Sequence, residues 1–148
     1  MKRLRYLSSL VFGTVMLLAG LLVWFGLRHQ DIHATPPAIL LACVLAAIVS
    51  ALLGWCLVSV YVAWRRVAAI LFVPVVILVV AAFTAGTTYV LATPAFRGAP
   101  FINFVSAQAH YVPSYAVWYV SAGSFVWVPG FILATLFLTR VAARETHS

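Results

Sequence analysis

Acidic residues are nearly missing from this chain: Asp31 and Glu145 are the only two among 148 residues. They stand in distant parts of the sequence, which argues against chemistry that needs paired carboxylates about one bond. Charge of either sign is scarce too, at 7% of residues, where soluble domains carry about 25%. The long apolar runs hold no Asp, Glu, Lys, Arg or His. Proton-coupled carriers place such groups at membrane depth, and a haem held inside a bundle needs an axial ligand such as histidine, so the pattern speaks against both.

Cysteine is almost as rare. Cys43 and Cys56 share one apolar run, and on a single helix they would lie about 20 Å apart, well beyond the roughly 7 Å that a disulfide tolerates. Neither belongs to a C-x-x-C pair, so both are expected to be small packing residues. Glycine-rich phosphate loops are absent. Ser121 and Ser124 have no histidine or carboxylate in their own stretch to activate them. The sequence therefore offers no catalytic constellation, no cofactor motif and no reason to expect an enzyme.

What the chain does have is apolar mass. Hydrophobic residues make up 66% of it, against roughly 45–50% in soluble domains, and the mean hydropathy is +1.13. The expected fold is all-α: a polytopic membrane protein with a four-transmembrane-helix bundle forming a single membrane domain. The apolar runs place helices at about 7–27, 38–64, 67–93 and 114–139, with loops at 28–37 and 94–113 and a tight turn at 65–66. A basic start before an apolar run also describes a secretory signal. The run from Leu7 to Leu27 is longer than the usual core of about 7–15 residues and no A-x-A site follows it, so a first span is expected.

The net charge of +7 does not form a phosphate-tracking patch, so nucleic acid is not an expected partner. The basic residues divide by side instead: Lys2, Arg3, Arg5, Arg65, Arg66, Arg140 and Arg144 fall on one side of the expected bundle, and only Arg28 and Arg97 on the other. The positive-inside rule then puts both termini in the cytoplasm of a cell whose inner (plasma) membrane holds the protein. Aromatics near the span ends fit interfacial belts: Trp24, Phe25, Tyr89, Tyr115, Trp118 and Tyr119 toward the outside, Tyr6, Tyr61 and Trp64 toward the inside.

Small residues recur at helical spacing: Gly13 and Gly20; Cys43, Ala47, Ser50 and Gly54; Pro74, Ala81, Ala85 and Thr88; Ala116, Gly123, Gly130 and Ala134. Such stripes let helix backbones approach in lipid, either inside the bundle or against another subunit. Pro74 and Pro129 are expected to kink their helices, each removing one backbone hydrogen bond, at similar depth in the cytoplasmic half. His29, Asp31, His33 and His110 could together supply four metal ligands. Helical geometry would exclude Asp31 from the histidine pair and an extended chain would spread the three over about 13 Å, so solvated loop polarity is expected and no metal.

The segment from Pro100 to Val112 is expected to form a short interfacial helix, with Asn103, Ser106 and His110 on its polar face and Phe101, Phe104 and Val105 opposite. That polar face is the candidate surface for a partner or solute. The leading functional expectation is a non-enzymatic accessory, assembly or structural subunit of a larger membrane complex, its partners the lipid bilayer and other membrane subunits or copies of itself. The alternative is a small homo-oligomeric pore or carrier for a neutral or apolar solute.

Overall fold

The computed structural model describes residues 2–28, 36–64, 66–92 and 101–145. Among the described residues there are five α-helices: α1 (Lys2–Arg28), α2 (Pro36–Cys56), α3 (Val58–Ala63), α4 (Arg66–Ala92) and α5 (Phe101–Glu145). Four of them contain stretches long and apolar enough to cross a membrane: Lys2–Gly26, Pro37–Cys56, Leu71–Ala92 and Gln108–Arg144. The chain thus has the helices of a multi-pass membrane protein, consistent with a polytopic four-helix bundle.

Each long helix packs on two neighbours, in the cyclic order α1, α2, α4, α5 and back to α1. Close contacts fix their directions. A Cβ built on Gly20 would meet Cys43, while one on Gly54 would meet Ser8, so α1 and α2 run antiparallel. The same test pairs Gly123 with Ala19 and Gly130 with Val15 for α5 against α1, and Gly86 with Val112 for α4 against α5. The basic end of the bundle therefore gathers the start of α1 and the end of α5, where Lys2, Arg3, Arg5, Arg140 and Arg144 are all exposed. The opposite end, where α1 stops and α2 starts, is called here the far end.

The small-residue stripes do their work inside this bundle. Ser8 Oγ donates to the Gly54 carbonyl at 2.7 Å, and Cys43 Sγ donates to the Gly20 carbonyl at 3.3 Å. Both bonds lie where glycine or cysteine lets two backbones approach, so packing and polar bonding support each other. The centre is filled by Phe12, Met16, Ile77 and Leu138, each 0% exposed. Phe125, Leu10, Val117 and Leu133 point outward. In water such a surface would be a liability, whereas in a bilayer it is the expected exterior.

The first and last helices run several residues past the expected bounds, to Lys2 and to Glu145, and two further differences concern continuity. The helix expected to run unbroken from 38 to 64 divides at Leu57, whose φ of −83° and ψ of 2° leave the helical region. Val58, Val60 and Val62 follow at once, and β-branched residues lower helix propensity. The ladder loosens without stopping: Leu57 N–H donates to Leu53 at 2.8 Å and Val60 N–H donates to Leu57 at 3.0 Å.

The second difference is larger. The interfacial helix is no separate element but the opening turns of α5, which continues without a break through Pro113 for 45 residues. Pro113 lacks only the N–H that would reach Ala109, and Ser114 Oγ donates to the next carbonyl, that of His110, at 3.2 Å. At about 1.5 Å per residue the helix is about 68 Å long, more than twice a hydrocarbon core of about 30 Å.

Candidate functional site: a cavity between the four long helices

All four long helices contribute to a cavity of about 150 Å³ in the far half of the bundle. Val23 comes from α1; Ile39, Ala42 and Cys43 from α2; Ala85, Gly86 and Tyr89 from α4; Tyr115, Trp118 and Tyr119 from α5. The cavity exists because small and large residues meet at one level. Ala42, Ala85 and Gly86 leave space that the aromatic rings border without filling.

The aromatic wall is fixed by helix geometry. Tyr119 stands three residues after Ala116 and four before Gly123, which puts it on the packed face of α5. Tyr89 follows Ala81 and Ala85 at the same spacing on α4. Tyr119 is 5% and Tyr89 8% exposed, so both rings turn into the bundle rather than onto its surface. The Tyr89 and Tyr115 rings pack with centroids 4.1 Å apart. Trp118 is the most open of the lining side chains, at 39%, and marks where the cavity reaches the surface.

None of the described lining residues carries a charge. Cys43 already donates to Gly20, but the Tyr119 hydroxyl is buried with no hydrogen-bond partner. Tyr119 lines the cavity, but its hydroxyl oxygen is itself enclosed, so the ring rather than the hydroxyl borders the space. An uncharged, mostly apolar wall of this kind suits a neutral guest better than an ion, which would lose its hydration without a counter-charge.

A second, more open groove lies between α4 and α5 in the basic half, lined by Leu71, Pro74, Val75 and Leu78 on one side and Trp127, Phe131, Ile132, Thr135 and Leu136 on the other. Pro74 faces this groove, whereas Pro129 is exposed and does not line it. Thr135 Oγ1 is also buried without a partner.

Asn103, Ser106 and His110 lie on the first turns of α5 and are all exposed. They share a face but do not reach the cavity, whose lining on α5 begins at Tyr115. His110 packs edge-on against Tyr111 at 5.1 Å. His29, Asp31 and His33 lie outside the described residues, and among the described residues no three His, Cys, Asp or Glu side chains come together as a metal site. The aromatic cavity is the feature that sequence reasoning missed, although the i, i+3 and i+4 relation of Tyr89 and Tyr119 to the small-residue stripes was there to find it. Comparison of the chain with protein-family models, with curated proteins and with solved structures gives no match.

Proposed function

We propose that this protein binds and carries a small neutral, largely apolar solute within the membrane, using the far-half cavity as its site. The observation that carries this reading is a cavity lined by all four long helices, with aromatic walls and no charge among the described residues that border it. Transfer across the membrane through one copy calls for a change of helix packing, because Phe12, Met16, Ile77 and Leu138 fill the centre. A carrier thus fits better than a standing pore.

The reading as an accessory subunit of a larger complex rests on the lack of soluble mass and of catalytic groups. The stripes that suggested docking are occupied by contacts between helices of the same chain, as at Gly20 with Cys43 and Gly54 with Ser8. Gentle extraction followed by mass measurement separates the two. The carrier reading expects this polypeptide alone or as copies of itself, with a small molecule retained. Other polypeptides in fixed ratio and no retained molecule would replace it with the subunit reading.

The proposal includes the orientation. Exposed Lys2, Arg3, Arg5, Arg140 and Arg144 at one end support a cytoplasmic basic end in an inner (plasma) membrane, with the cavity in the outer half. Reporter fusions after Gln30 and after Arg66 should give opposite compartments, the first outside and the second inside. The same compartment from both would refute this topology.

A further inference from the structure

We infer that the groove between α4 and α5 binds one anionic phospholipid, with an acyl chain lying in the groove and the phosphate held by Arg140. The site lies in the other half of the bundle from the aromatic cavity and does not depend on the carrier reading.

Shape sets the first condition. Leu71 and Val75 on α4 and Ile132 and Leu136 on α5 are exposed along the groove, with Phe131 and Thr135 buried among its lining. An open apolar groove on the outside of a membrane bundle faces lipid chains. Length sets the second. Ile132, Leu136 and Arg140 stand four residues apart in turn, which lines them up along one side of α5. Measured from the level of Arg140 at about 1.5 Å per residue, the lining on α5 runs from Leu136, about 6 Å away, to Trp127, about 20 Å away. One leaflet contributes about 15 Å of hydrocarbon, half of a core of about 30 Å. The groove therefore has the depth of one acyl chain whose headgroup stands at Arg140. Charge sets the third. Arg140 is exposed at the end of this row, Arg144 is exposed one turn further, and α4 opens on Arg66 at the same end of the groove. Of the two carboxylates in the chain, Asp31 precedes α2 in sequence, and Glu145 falls about 140° round α5 from Arg140. A guanidinium pairs with a phosphate through two parallel N–H bonds, whereas a zwitterionic headgroup brings its own cation to the same place. At equal chain length an anionic headgroup is thereby preferred.

The test makes Trp127, which lines the groove, the reporter, by carrying Trp24→Phe, Trp55→Phe, Trp64→Phe and Trp118→Phe in the full chain. The chain is reconstituted in phosphatidylcholine bilayers to which phosphatidylglycerol or phosphatidylcholine with brominated chains is added, and bromine in the groove quenches the indole. Brominated phosphatidylglycerol should quench at about fivefold lower mole fraction than brominated phosphatidylcholine, the effect of one basic group at an anionic headgroup. Arg140→Gln should bring the two lipids level, and Arg140→Lys should retain part of the preference. Lys2→Gln removes the same charge from the side of α1 that meets α2, since Lys2 stands about five whole turns before Gly20, and should change nothing. If the fourfold-substituted chain does not fold by circular dichroism and size-exclusion profile, 5-fluorotryptophan in the otherwise native chain gives the same reading by 19F NMR, with nitroxide in place of bromine and the Trp127 line assigned from Trp127→Phe. Equal quenching by the two lipids, or an unchanged preference in Arg140→Gln, overturns the site. An equal fall in Lys2→Gln overturns it too, since only the field of the whole basic end would then be at work. Millimolar inorganic phosphate at constant ionic strength should leave the preference intact, and its loss would assign Arg140 to a free anion instead of a lipid. No quenching by either lipid would overturn the site in favour of a second copy of the chain covering the groove.

Discussion

Gly54→Leu is expected to abolish the folded protein, and Gly54→Ala to destabilise it by about 1–3 kcal/mol, the range for overpacking a tight contact. A Cβ at Gly54 would stand 2.9 Å from the Ser8 carbonyl oxygen and 3.2 Å from Phe12 Cδ2. The first neighbour is backbone, so no rotamer change relieves the clash and α1 must move away from α2. Moving it also stretches the 2.7 Å bond from Ser8 Oγ to the Gly54 carbonyl. Gly26 provides the control, since a Cβ there meets nothing within 4 Å. Gly26→Ala should be neutral or stabilise by about 0.5–1 kcal/mol through helix propensity alone. Denaturant titration in mixed micelles, followed by circular dichroism, reads both. Equal stability of Gly54→Ala and wild type would show that the close approach of α1 and α2 is not as described.

The same glycines show how far the sequence alone could be read. Apolar length and the scarcity of charge pointed to four long helices because lipid leaves a helix little freedom to be anything else. The stripes at Gly13, Gly20 and Gly54 marked contact faces, though spacing alone could not say whether the partner was this chain or another. That took the Cβ positions at Gly20 and Gly54, which meet Cys43 and Ser8 of the same chain. Pro113 was harder: a proline beside polar residues reads as a loop end, but a helix carries it when only one carbonyl loses its bond. Leu57 was harder still, because the break there is small and its only local sign is the valine run that follows. The cavity was half legible. Tyr89 and Tyr119 announced their burial through their place on the stripes, yet nearness to span ends favoured the interfacial reading. That Ala42, Ala85 and Gly86 should meet at one level follows from the relative heights of α2 and α4, which spacing within a single helix does not encode.

Phe12→Ala should cost about 2–3 kcal/mol. In soluble proteins the loss of a buried phenyl costs about 3–5 kcal/mol, part of it transfer from water. In a membrane the lipid tails are as apolar as the core, so most of the transfer part falls away and the lost packing remains. Phe12 is 0% exposed and meets Phe131 edge-on, with centroids 5.2 Å apart and planes at 83°. That geometry brings a ring edge to a ring face, and such pairs are worth about 0.5–1.5 kcal/mol beyond area. The double variant Phe12→Ala/Phe131→Ala should therefore lose less than the two single losses combined, by about that amount. Strict additivity would mean that the rings touch without coupling. The two residues also separate fold from site. Phe131 lines the α4–α5 groove, so its truncation enlarges that space, whereas Phe12 lines neither the groove nor the aromatic cavity. Measured well below its melting transition, Phe12→Ala should retain wild-type affinity for any ligand of the far-half cavity. A fall in affinity parallel to the fall in stability would show that the site is held by the packed centre at a distance rather than by the residues that border it.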